Sequence, residues 1–158
     1  MKAVVKTAPG IGNLEFQDYP RPKPGPGDVM IAVKAIGVCG TDVHIMHGTY
    51  RTATPVIIGH EFAGEIVEIG EGVTGWKKGE RVVAENIEGA CGVCEVCRTG
   101  NPHICAEKKA YGTDSNGAMA ELAVFTATAL HRLPDNISYE QAAVLEPLAV
   151  VNRGVVER

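Results

Sequence analysis

Apolar positions along this chain come in short runs broken by glycine and proline, and most of the runs alternate with polar residues at the period of a strand. Lys2–Lys6 reads as a short edge strand and Asn13–Tyr19 as a second with weaker alternation. Asp28–Ile36 (DVMIAVKAI) gives the clearest strand, rich in β-branched residues, with Lys34 on the polar phase. Phe62–Ile69 alternates, Glu80–Ala84 is short, and Met119–Ala129 reads as a further strand. Gly40–Gly48 departs from this pattern and fits a short helical turn, while Pro55–Ile58 leads into Gly59-His60-Glu61. Near the end, Ser138 with Gln141 three residues on forms a capping box that opens a helix. Helical spacing continues through Ala142, Leu145 and Ala149, and Pro147 is expected to interrupt it. Between Pro20 and Gly27 proline takes every second position, so the three-residue spacing of a P-x-x-P ligand is missing and a stiff extended connector is expected. Many short strands, little helix, no βαβ alternation and no internal repeat predict a mainly β, partly open barrel.

Composition narrows the picture. The 158 residues suffice for one domain with a real core, and 45% of them are hydrophobic, a normal globular share. Fifteen Lys and Arg against 19 Asp and Glu give a net charge of −4, which argues against a nucleic-acid surface. The apolar stretch after Met1 ends at Lys6, whereas a secretory core needs roughly 7–15 apolar residues and a membrane span about 20. A cytoplasmic protein with no membrane partner is therefore expected, and the Asn136-Ile137-Ser138 sequon has no consequence there. Gly70-Glu71-Gly72-Val73-Thr74-Gly75 matches a dinucleotide fingerprint, yet Trp76-Lys77-Lys78-Gly79-Glu80 leads into a strand instead of opening a helix. A turn is the better reading.

The chemistry lies in the cysteines. Four of the five (Cys91, Cys94, Cys97 and Cys105) share one loop as C-x2-C-x2-C-x7-C, and a reducing compartment favours metal over disulfides. Four thiolates with no open position suit a structural zinc. A ferredoxin cluster run would continue x3-Cys-Pro, unlike x7-Cys105-Ala106, and a nucleic-acid zinc module conflicts with the acidic balance. His103 lies inside the loop as a bystander to four better ligands.

A second constellation spreads along the chain: Cys39-Gly40-Thr41-Asp42-Val43-His44, then Gly59-His60-Glu61, then Glu146-Pro147. Singly each has an ordinary explanation, as a buried small apolar cysteine, a hydrogen-bonded histidine or a solvated helix acid. Together they offer a thiolate, an imidazole and a carboxylate, the three-ligand set that leaves a fourth position open at catalytic zinc. Spacing alone leaves their convergence open.

The combination C-G-T-D-x-H, G-H-E, the four-cysteine lobe and E-P-L resembles the zinc-dependent medium-chain dehydrogenases, nearest the sorbitol and threonine dehydrogenase branches. The resemblance covers nearly the whole chain. It implies a GroES-like catalytic domain over residues 1–158, with the Rossmann nucleotide-binding domain absent. It implies Cys39, His60 and Glu146 as ligands of a catalytic zinc, with Glu61 as a second acid able to swing onto the metal. Thr41 would hydrogen-bond the substrate hydroxyl, His44 would pass its proton outward, and Asp42 would orient His60. It further implies a small-molecule alcohol or polyol substrate, NAD(P) in the full-length enzyme only, a homo-oligomer for that enzyme, and no alcohol oxidation by this chain alone. Tyr50 and Arg51 are candidates to line the cleft. The competing reading is a non-enzymatic, zinc-stabilised β module for binding or assembly. A third, an iron–sulfur carrier, would be coloured.

Overall fold

The computed structural model describes residues 1–156. In chain order the strands and α-helices are β1 (Lys2–Lys6), β2 (Leu14–Asp18), β3 (Asp28–Ile36), α1 (Gly40–Met46), β4 (Val56–Ile57), β5 (Phe62–Ile69), β6 (Arg81–Ala84), β7 (Ile87–Glu88), α2 (Glu95–Arg98), β8 (Lys109–Ala110), β9 (Leu122–Thr126), β10 (Leu130–Arg132), α3 (Tyr139–Ala142) and α4 (Leu145–Val151). The larger sheet runs β10-β6-β5-β3-β9, the smaller runs β2-β1-β4, and β7-β8 make a two-stranded ribbon. Every pairing between these strands is antiparallel. The β3–β5 ladder runs from Val29↔Ile69 to Ile36↔Phe62 with two register irregularities, which bend the pair.

The two sheets are continuous around one edge. The residues just before β9 lie against β1: Ala3 bridges Ala120, Val4 donates its N–H to the Met119 carbonyl at 2.8 Å, and Glu121 donates to the Lys2 carbonyl at 3.1 Å. The result is a curved, mainly β body that does not close, with only short helices, as the hydrophobic pattern predicts. Its core holds Val29, Ile31, Phe62, Ile66, Val82 and Phe125, all at most 2% exposed. Phe125 is stacked on Phe62 with ring centroids 4.6 Å apart and tilted against Tyr111 at 4.2 Å.

Three local differences from the sequence pattern have simple causes. The run Met119–Ala129 divides: β9 ends at Thr126, a 3-10 turn takes Ala127–Ala129, and β10 pairs separately with β6. Trp76 fastens that turn by donating its Nε1–H to the Ala127 carbonyl at 3.2 Å. Pro147 does not interrupt a helix. The break falls earlier, after α3, and Pro147 sits in the first turn of α4, where a backbone N–H has no intrahelical partner to lose. The four-cysteine loop carries its own short helix, α2, which the cysteines mask in the sequence. The capping box forms as expected, with Gln141 N–H donating to Ser138 Oγ at 3.2 Å and Ser138 N–H to Gln141 Oε1 at 2.9 Å. Gly70–Gly75 is a turn between β5 and β6, with Gly72 and Gly75 at positive φ. Among the described residues no helix is long and apolar enough to cross a membrane.

Candidate functional site

The chain leaves β6 at Ala84, makes β7, swings out as a lobe and returns through β8. The lobe's base is closed by that ribbon and by Tyr111, which donates its N–H to the Asn86 carbonyl at 3.0 Å. Inside the lobe Cys94 caps α2, Cys97 lies on α2, and Cys105 follows a 3-10 turn at Pro102–Ile104. All four Sγ atoms lie within 4.8 Å of one another. Separations of 3.6 Å (Cys91–Cys105), 3.9 Å (Cys91–Cys97) and 3.9 Å (Cys94–Cys105) leave no disulfide. A tetrahedron with metal–sulfur bonds of about 2.3 Å has edges of about 3.8 Å, so the cage is the size of a zinc thiolate centre. Backbone amides already point at the sulfurs: Cys94 N–H lies 3.3 Å from Cys91 Sγ and Cys91 N–H 3.4 Å from Cys105 Sγ. The amides of Cys91 and Glu107 hold the Cys105 thiol down to about 6, whereas burial, then the Cys94 thiol, pushes Cys97 up to about 12. The pair is therefore unequal before any metal arrives. His103 is exposed and outside the cage.

The second group is assembled by two chain segments that meet at the end of the β3–β5 ladder. One runs out of β3 through Gly37 to Cys39, which caps α1. The other is Gly59-His60-Glu61, entering β5. Gly59 has φ +90°, and a Cβ there would lie 2.5 Å from Met119 Cγ, so the turn that presents His60 needs glycine on both counts. Ligand atoms of Cys39, His60 and Glu61 fall within 4.8 Å of one another, and His60 and Glu61 are each 7% exposed.

Glu146 stands outside this trio but beside it. Burial raises its carboxyl above the ordinary range; His60 pulls the other way, and Glu61 adds to the rise. Its Oε1 accepts a hydrogen bond from Asn86 Nδ2 at 3.0 Å. The resemblance implies Glu146 as a ligand and Glu61 as the second acid; the group within 4.8 Å contains Glu61, and Glu146 lies near enough to His60 and Glu61 to feel their charge. Thr41 Oγ1 lies 3.6 Å from Cys39 Sγ, accepting from the thiol. His44 is exposed, one helical turn on, with Nδ1 3.2 Å from Thr49 Oγ1. Asp42 accepts the Cys39 N–H at 2.9 Å with one carboxylate oxygen; the other is buried and without a hydrogen-bond partner among the described residues, so no bond joins it to His60. A cleft of about 1050 Å³ opens beside Glu146, lined by Phe62, Asn86, Ile104 and Leu145 among others. Tyr50 and Arg51 are exposed and do not line it. Asn86 carries no sequence signal as a site residue, since an isolated asparagine matches no motif.

A half-buried cysteine thiol with a buried imidazole and a buried carboxylate can hold a metal with a position to spare, and the four-sulfur cage can hold one with none. The model of the alcohol dehydrogenase GroES-like domain matches residues 25–135. The chain belongs to that family. This alcohol dehydrogenase GroES-like domain is 43% identical to a sorbitol dehydrogenase from Halalkalibacterium halodurans over 99% of its own length and 46% of that protein. It is 44% identical to L-threonine 3-dehydrogenase from Pyrococcus horikoshii, over 94% of its length and 43% of the other. A solved cobalt- and zinc-bound thermostable alcohol dehydrogenase from Pyrobaculum aerophilum superposes with a TM-score of 0.84 at 36% identity, covering 92% of this chain and 44% of that one. The chain therefore spans less than half the length of the relatives it matches. Those relatives are dehydrogenases.

Proposed function

We propose that this domain is the catalytic part of a zinc-dependent dehydrogenase that oxidises a secondary alcohol of the polyol or amino-alcohol class with NAD(P). The observation that carries the reading is the convergence within 4.8 Å of half-buried Cys39 with buried His60 and Glu61, and Glu146 alongside. Cys39 and His60 would hold the metal, with Glu61 and Glu146 as the two carboxylates able to complete it, and Cys91, Cys94, Cys97 and Cys105 would hold a second, structural zinc. Zinc at the first site would supply Lewis acidity toward the substrate hydroxyl. The chain's own residues do the rest. Thr41, beside Cys39, would hydrogen-bond the substrate hydroxyl, handing on its own hydroxyl proton as it takes the substrate's; His44, exposed on the same helix, would release that proton to water; and Asp42 fixes the Cys39 backbone at the start of α1. The cleft beside Glu146 receives the carbon skeleton.

Hydride acceptance belongs to a nucleotide-binding region outside these 158 residues, so the chain alone will not reduce NAD(P). Support for this comes from the share of the relatives that the chain spans, 46% and 43%. We place the whole enzyme in the cytoplasm as a homo-oligomer acting on a small molecule, with no nucleic-acid or membrane partner.

Elemental analysis of the purified chain tests the proposal. Two zincs per chain are expected, and Cys39→Ser should remove one while circular dichroism stays unchanged. A wild type with one zinc, or a Cys39→Ser variant that loses both metals and its fold, would refute it.

A further inference from the structure

We infer that Gly37 is a positioning residue, the missing side chain that gives the Glu61 carboxylate its place at the Cys39–His60 centre; this rests on the reading of that centre given above. Gly37 is not one of the glycines at positive φ, so its backbone would accept any residue. What it supplies is room. A Cβ built on it would lie 2.6 Å from Glu61 Oε2, 3.1 Å from Glu61 Cβ and 3.6 Å from Glu61 Cδ. All three contacts are with this one side chain.

Neither backbone can step aside. Gly37 N–H donates to the Glu61 carbonyl at 2.6 Å, and the residues next to them, Ile36 and Phe62, are register partners at the end of the β3–β5 ladder. Phe62 is itself fixed in the core by its stack on Phe125. The end of a carboxylate side chain is the softest of these groups, so an added methyl displaces Glu61 Oε2 and leaves the ladder standing. Glu61 is 7% exposed and shares its 4.8 Å neighbourhood with Cys39 and His60, so displacement takes one of the three donors off the centre. Glu146, held by Asn86, is outside that group and does not replace it without giving up its own hydrogen bond. Gly37 therefore decides which carboxylate is at hand when a metal enters.

The test is a double-mutant cycle on the full chain, with Co2+ as the probe and zinc kept in the four-cysteine lobe, read by thiolate-to-cobalt absorbance. Gly37→Ala should weaken Co2+ binding by about ten- to a hundred-fold, the range for losing an outer support of a metal site. Glu61→Ala should weaken it at least as far, and Gly37→Ala should add much less in the Glu61→Ala background, because the 2.6 Å contact with Oε2 is gone and only the 3.1 Å contact with the Cβ of residue 61 remains. Thermal unfolding of the metal-free proteins gives a second readout that separates room from backbone: Gly37→Ala should lower the midpoint, and Glu61→Ala should relieve the loss. Unchanged Co2+ binding in Gly37→Ala overturns the inference, as does a Gly37→Ala penalty that persists undiminished in the Glu61→Ala background. A wild type that takes up no Co2+ at all refutes the centre itself, and the inference with it.

Discussion

At the scale of single residues, the centre is defined by how its carboxylates differ. Glu61 is sealed among Cys39, His60 and Gly37, whereas Glu146 is half-buried at the mouth of the cleft and leans on Asn86. Burial raises the Glu146 carboxyl above its ordinary 4.5. In the unfolded chain it ionises at the ordinary value, so between the two values the folded chain holds the extra proton. Raising the pH through that window costs stability, by the usual linkage between proton binding and folding. Glu146→Gln keeps an acceptor for Asn86 and never ionises. In the metal-free chain it should therefore raise the unfolding midpoint at neutral pH, and the gain should vanish below the ordinary carboxyl value. A pH series of thermal melts checks this, and a destabilising effect at neutral pH would mean that the ionised carboxylate has a stronger partner than Asn86. The sequence carries these residues unevenly. The four cysteines are legible because their spacing alone specifies a tetrahedral cage. Cys39 and His60 need the family pattern, since 20 residues lie between them and nothing in the spacing brings them together. Gly37 and Asn86 are silent, one acting through space it leaves empty and the other through an ordinary amide.

At the scale of elements, the ladder β3–β5 and the lobe Cys91–Cys105 are held by different forces. β3 buries Val29, Met30 and Ile31 at 0% exposure, and β5 adds Phe62 and Ile66. Neither α2 nor the turn at Pro102–Ile104 buries any residue, and the one buried side chain in the lobe's cage is Cys105. The lobe has no apolar core, so with zinc in the proposed cage its order would rest on the metal, as in other small metal-held modules. Removing zinc with a chelator should erase amide-exchange protection across residues 91–105 and leave β3 and β5 protected. Reloading should weaken as the pH falls through about 6, where Cys105 takes up a proton that the metal must displace, while Cys97, near 12, gives up its own to the metal at any working pH. Hydrogen exchange with mass detection and a pH series of zinc titrations read both. Protection that survives chelation would mean the lobe is packed by something other than metal. The contrast also accounts for what the hydrophobic pattern could reach. Strands with a buried face leave a period in the sequence, so β1, β3 and β5 are found at their observed limits. β7 and β8 are two residues each, too short for any period, and β10 is hidden because the apolar run before it continues through a 3-10 turn.

At the scale of the whole molecule, the two centres hang from one core. Phe125 on β9 is 1% exposed and touches both roots. It stacks on Phe62, the residue after Glu61, and packs at a tilt against Tyr111, the residue after β8, whose hydroxyl in turn accepts the Thr126 N–H at 3.1 Å. Losing the lobe should therefore spare the sheets, but losing the sheets cannot spare either centre. Phe125→Ala empties the contact between the two roots, and a truncation of this kind costs about 3–5 kcal/mol through lost burial and the cavity left behind. Small domains unfold in one cooperative step, so the variant should melt in a single transition at lower temperature, releasing the metal of the Cys39–His60 centre and that of the four-cysteine cage together. Calorimetry with a zinc indicator dye in the cell measures both events in one scan. Coincident heat and zinc release would establish a shared core under both sites. Release from one site well below the other would mean that Phe62 and Tyr111 hold their ends of the molecule independently.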